Sequence, residues 1–115
     1  MKAAWYRRNG SAQEVLEVGD LPTPVPAAGE VRVKLATSGV NPSDVKSRVA
    51  RPLNAPLIIP HSDGAGVIDA VGEGVSPARI GERVWVWNGQ WERPWGTACE
   101  YICLAQQQAV SLPAN

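Results

Sequence analysis

The chain carries no surplus charge of either sign. Its 115 residues hold 11 Lys plus Arg against 11 Asp plus Glu, a formal net charge of zero. Binding to nucleic acid or to an anionic membrane needs a basic surplus, so neither is expected as the main partner. Long hydrophobic runs are missing too. No window is long and apolar enough to span a bilayer, and the opening MKAAWYRRNG lacks the apolar stretch of a signal peptide. A cytoplasmic protein is the expectation. Metal-binding side chains are scarce: one histidine, His61, and two cysteines, Cys99 and Cys103. On a strand those cysteines would sit roughly 13 Å apart, at about 3.3 Å per residue. A disulfide spans less than about 7 Å, so both are read as reduced, half-buried strand residues.

What is present is a period of two. Glu30-Val31-Arg32-Val33-Lys34-Leu35 alternates polar and apolar side chains, as a strand with one wet face does. Strands are also expected over 2–7, 15–18, 67–71, 83–87, 98–104 and 109–112. Ten prolines and eleven glycines punctuate them. Leu21-Pro22-Thr23-Pro24-Val25-Pro26 lacks the N–H donors a sheet needs and reads as an extended connector. One helix is expected: Asn41 suits the N-cap, Pro42 the first turn and Asp44 the positive end of the dipole, and Arg51-Pro52 ends it. Many short strands with Gly/Pro turns predict one all-β domain with one or two short helices, a sandwich or barrel.

The segment PHSDGAGVIDA, residues 60–70, invites two functional readings. As a dinucleotide loop it is incomplete. Asp69 stands where the third glycine belongs, and a β-like run follows where a helix should start. The glycines are better read as places where a strand bends or approaches another backbone. As a zinc site it is short of ligands. His61 and Asp63 need a third partner from Cys99, Cys103 or Asp44, and no spacing selects one. Elsewhere, the turn from Ser38 to Asp44 gathers small polar groups where a strand meets a helix. Four of the five tryptophans fall between Trp85 and Trp95. Trp91 and Trp95 sit in a predicted loop, where large aromatics contact ligands or pack over a barrel mouth.

In order along the chain, GEVRVKLATSGVNPSD, PLIIPHSDGAGVIDAVGEGV, IGERVWVW, GTACEYICL and AVSLPAN resemble the N-terminal, GroES-like domain of the medium-chain dehydrogenases/reductases. The set is most similar to the zinc-independent quinone oxidoreductase branch. The resemblance implies a partly open β-barrel over residues 1–115, followed by a Rossmann NADPH-binding domain outside this chain. It implies hydride transfer from NADPH to a small quinone or α,β-unsaturated carbonyl, and a full-length homodimer. Asn41 matches the asparagine that faces nicotinamide and substrate, with Val40 beside it on the cofactor side. Asp44 shares the catalytic cleft. Lys46, Ser62, Asp63, Trp87, Trp91 and Trp95 are the expected substrate-cleft residues. No zinc is expected. Laid on the zinc enzymes' G-H-E-x-A-G segment, Ser62 takes the histidine's place and His61 falls one position early. No cysteine occurs in Val40–Asp44. Two alternatives are a zinc-dependent alcohol dehydrogenase domain and a GroES-type co-chaperonin or binding module.

Overall fold

The structure, a computed structural model, describes residues 1–114. Seven strands and two α-helices follow in the order β1 (Lys2–Trp5), α1 (Ala12–Val15), β2 (Glu17–Asp20), β3 (Glu30–Gly39), α2 (Pro42–Ala50), β4 (Asp63–Val71), β5 (Arg83–Val86), β6 (Tyr101–Ala105) and β7 (Ala109–Ser111). β1 and β2 form a hairpin-like pair. The other five strands make one antiparallel sheet in the order β6-β3-β4-β5-β7. The sheet curls without closing, which is the partly open barrel architecture the sequence predicts. No helix among the described residues is long and apolar enough to cross a membrane.

Alternation builds the inside of the curl. Val31 and Val33 of β3, Ile68 of β4, Val84 and Val86 of β5, and Ile102 and Leu104 of β6 are all buried in one cluster. Each such side chain contributes roughly 1.5–3 kcal/mol when fully removed from water. The curvature has a local cause: the β3–β4 register slips between Arg32 and Val33 and again between Leu35 and Thr37. Bulges of this kind bend and twist a strand. Outside the curl, Arg32 grips Asp69 with two hydrogen bonds, Nε–Oδ1 at 2.9 Å and Nη2–Oδ2 at 3.3 Å. The residue in the third-glycine place is thus a cross-strand ion-pair partner inside β4.

Gly64 and Gly66 lie in β4 as well, not in a turn before a helix. Gly66 pairs with Leu35, and a Cβ there would stand 2.0 Å from the carbonyl oxygen of Lys34. Close backbone approach is therefore the reason for this glycine.

Several expected strands differ in detail: β1 ends at Trp5, β4 starts early at Asp63 and β7 ends at Ser111. The 15–18 candidate is split, because Ser11 opens a helical turn that delivers Val15 into a small core with Tyr6 and Ile58. β2 then starts at Glu17 and pairs with β1. β5 stops at Val86, leaving Trp87 outside it. The 98–104 candidate begins only at Tyr101, with Cys99 held by an isolated bridge to Ala3. Cys99 and Cys103 are both free thiols, part-buried, as expected.

Candidate active site

The sequence dictates α2 locally, and the fold then uses its first turn. Asn41 is extended, at φ −117°, and precedes Pro42. The Asp44 carboxylate reaches back to accept from the Asn41 N–H at 2.7 Å. That bond and the helix dipole keep Asp44 in place although it is only 8% exposed. Asn41 completes a capping box, its side chain turned toward the Asp44 N–H. Its Nδ2 donates to the Asp63 carboxylate at 2.6 Å. A carboxylate only accepts, so the amide orientation is determined by chemistry. β3 ends at Gly39, opposite Asp63 at the start of β4, and this pairing carries the two side chains to each other.

Behind this pair runs a second set of polar contacts. Thr97 Oγ1 donates to the main-chain oxygen of Asp63 at 2.7 Å and stands 2.9 Å from Ser38 Oγ. Ser38 Oγ is in turn 2.8 Å from His61 Nδ1. His61 holds a left-handed backbone, with φ 79°. That conformation costs a non-glycine residue roughly 1 kcal/mol.

A cleft of about 450 Å³ opens beside the helix start. Among its lining residues are Asp44, Ser62 and Trp91, together with Tyr6, Arg51 and Gln90. Burial pushes the Tyr6 phenol up from its ordinary range, with Arg48 opposing and Asp44 reinforcing the shift. Gln90 ties the tryptophan loop to the wall of the cleft: its Nε2 donates to the Ile59 carbonyl at 3.1 Å, and its Oε1 lies 3.4 Å from Ser62 Oγ. Arg93 anchors the same loop from below. It donates to the Cys103 carbonyl and, at 3.1 Å, to Gln108 Oε1. Desolvation lowers the pKa of this guanidinium.

The expected site residues therefore divide. Asp44, Ser62 and Trp91 share the cleft, while Asn41 and Asp63 form a bonded pair. Val40 is exposed beside Asn41, and Lys46 is exposed on α2. Trp87 is exposed outside the cleft lining. Trp95 is turned inward against Ala3, Trp5 and Ile59, so it belongs to a core and not to the cleft. Ser38 opens the polar turn expected from sequence, while Gln90, Arg93 and Thr97 carry no expectation of their own there. Nothing local marks them, because their partners lie between 10 and 59 positions away.

The donor set does not fit a catalytic zinc. Among the described residues no three His, Cys, Asp or Glu side chains gather as a metal site requires. His61 contacts Ser38, Asp63 contacts Asn41, and Asp44 holds its own helix start. Cys99 Sγ points at the carbonyls of Gly96 and Tyr101, and burial pushes its pKa up to about 11.

Residues 27–114 match the model of the alcohol dehydrogenase GroES-like domain. An alcohol dehydrogenase of Moraxella sp. (strain TAE123) is 38% identical over 114 residues, covering 87% of this chain and 32% of that protein. The quinone oxidoreductase of Homo sapiens is 39% identical over 74 residues, covering 62% of this chain and 22% of that protein. A short chain alcohol dehydrogenase of E. coli CFT073, solved in complex with the cofactor NADH, superposes with a TM-score of 0.81. It is 29% identical over 99% of this chain and 39% of its own. The chain thus spans a third or less of the curated relatives it matches. Since the domain match runs over well more than half of the chain and the curled sheet agrees with it, this chain belongs to the alcohol dehydrogenase GroES-like domain family.

Proposed function

We propose that this domain forms the substrate-side wall of an NAD(P)-dependent oxidoreductase, and that the reaction is hydride transfer from NADPH to a quinone or an α,β-unsaturated carbonyl. The observation that carries the reading is the Asn41–Asp63 pair beside the Asp44 cleft, where no metal-ligand set is assembled. In this reading a Rossmann domain elsewhere in the protein brings the nucleotide; within this chain β4 places its glycines in a strand and offers no phosphate turn. When bound, the nicotinamide supplies the hydride. The chain's own residues supply position and field.

Hydride addition to an enone or quinone drives negative charge onto its oxygen. A preoriented amide N–H lowers the energy of that charge. Asn41 meets this need: one amide proton is committed to Asp63, and the second has no other acceptor among the described residues. Asp44 is a holding group here, not the proton donor, since its carboxylate is occupied by the Asn41 N–H. Val40, 66% exposed next to Asn41, supplies an apolar surface for the cofactor ring. Trp91 and Ser62 bound the cleft on the substrate side.

The alcohol dehydrogenase relative motivates one rival, a zinc-dependent alcohol dehydrogenase domain, and elemental analysis separates the two. The decisive assay follows oxidation of NADPH by benzoquinone, for the chain alone and for the chain joined to its nucleotide-binding domain. Turnover is expected only in the joined form, with zinc below stoichiometric amounts and activity lost in Asn41→Ala. Turnover by the chain alone, full activity in Asn41→Ala, or one zinc per chain would each refute the proposal.

A further inference from the structure

Three contacts link His61 to the Asn41–Asp63 pair, and only one placement of hydrogens satisfies them all. Thr97 is fully buried, and its Oγ1 lies 2.7 Å from the main-chain oxygen of Asp63. A carbonyl oxygen only accepts, so Thr97 spends its single proton there. The 2.9 Å contact between Thr97 and Ser38 must then take its proton from Ser38. Ser38 has none left for His61. The 2.8 Å contact is therefore Nδ1–H of His61 donating to Ser38 Oγ. The chain runs one way, from His61 through Ser38 and Thr97 to Asp63, whose carboxylate holds the Asn41 amide at 2.6 Å.

The backbone beneath this chain is over-determined. The His61 carbonyl accepts from Thr97 N–H at 2.9 Å, and its neighbours Pro60 and Ser62 accept from Ala98 at 3.0 Å and Gly89 at 2.7 Å. Gly96 lies so near that a Cβ on it would stand 2.0 Å from the His61 oxygen. Such surroundings are what sustain a left-handed residue. Glycine would meet the same backbone requirement without strain. Backbone geometry alone therefore does not account for an imidazole at this position.

We propose that His61 is a positioning residue of the site. Donating from Nδ1, it orients Ser38 and Thr97, which hold the Asp63 peptide and, through its carboxylate, the Asn41 amide. Its effect on rate rests on the hydride-transfer reading; the hydrogen-bond chain does not.

His61 is the only histidine in the chain, so nitrogen NMR reads its two ring nitrogens without overlap. In the neutral ring the expected spectrum has a protonated Nδ1 and a bare Nε2. Ser38→Ala should release the ring to the ordinary Nε2–H form. His61→Gly should shift the Asn41 side-chain amide signal. His61→Asn should restore it, because asparagine tolerates a positive φ and its Nδ2 hangs from Cγ as Nδ1 does. In the joined reductase with NADPH and benzoquinone, His61→Gly should lower kcat by about tenfold, the size of one hydrogen bond. It should melt no lower than the parent protein, and His61→Asn should recover most of the rate. A bare Nδ1, an Asn41 amide signal indifferent to His61→Gly, or His61→Asn as slow as His61→Gly would overturn the proposal. If the parent protein itself shows no turnover, the hydride-transfer reading fails, and the NMR signals still decide the hydrogen-bond chain.

Discussion

Replacing Gly66 by alanine should be among the most damaging single-methyl additions in this protein. The new Cβ would lie 2.0 Å from the Lys34 carbonyl oxygen, 2.8 Å from its carbon and 2.9 Å from Leu35 Cα. All three are backbone atoms of β3, so no side chain can swing away. Ordinary contact begins at 3.4 Å. The two strands must therefore part by more than an ångström where Leu35 faces Gly66. That stretches the neighbouring ladder hydrogen bonds past their useful range, and each contributes about 1 kcal/mol net. Overpacking adds roughly 1–3 kcal/mol. Losing two bonds places the total at about 3–5 kcal/mol by the same principles. At about 4 °C or more per kcal/mol, Tm should fall by at least about 12 °C. Gly74→Ala is the matched control. Gly74 has φ 83° with nothing within 4 Å of its added Cβ, so only the left-handed penalty applies, roughly 1 kcal/mol. Urea unfolding followed by tryptophan fluorescence gives both values. If Gly66→Ala costs less than about 1 kcal/mol, or no more than Gly74→Ala, the close-approach argument is wrong.

Three other substitutions or reactions test separate parts of the structure. Thr97→Val keeps shape but strands the Asp63 carbonyl and removes the acceptor of Ser38, and should cost about 2 kcal/mol in the same urea assay. Burial pushes Cys99 to about 11 and Cys103 to about 12, so neither thiol should react with iodoacetamide at neutral pH until the protein unfolds. Hydrogen bonds from Arg79, then Ser111, lower the Glu82 carboxyl from 4.5 to about 2. Its contribution is therefore complete above the unfolded value of 4.5 and is lost as pH falls toward 2. Glu82 is partly exposed, so screening limits the effect to about 1 kcal/mol. Glu82→Gln should be less stable than the parent at neutral pH, and the difference should vanish in acid melts.

Much of the scaffold was legible because its causes are local. Alternation along Val31–Leu35 shows which side of β3 is buried, whatever the partner strands are. Asn41-Pro42-Ser43-Asp44 starts a helix from its own side chains, and α2 runs over the residues that pattern predicts. Asp69 in place of a third glycine excluded a phosphate turn before any fold was known, and its pairing with Arg32 supplies the structural reason. The misreadings share one cause. Val15 and Trp95 have strand-prone or loop-prone neighbours, yet each is drawn into a small core by residues far away in sequence, Ile58 for one and Trp5 for the other.

Sequence alone thus determined the class of fold, the helix start, and which residue types were available near the site. Those follow from covalent periodicity, capping chemistry and composition, which need no tertiary partner. Only the folded chain decided that Asn41 turns its amide to Asp63 and that Thr97 and Ser38 join His61 to the same pair. These contacts link residues 22, 23, 34 and 59 positions apart. The curl of the sheet brings them within hydrogen-bond range, and that curl depends on two register slips that no single strand announces.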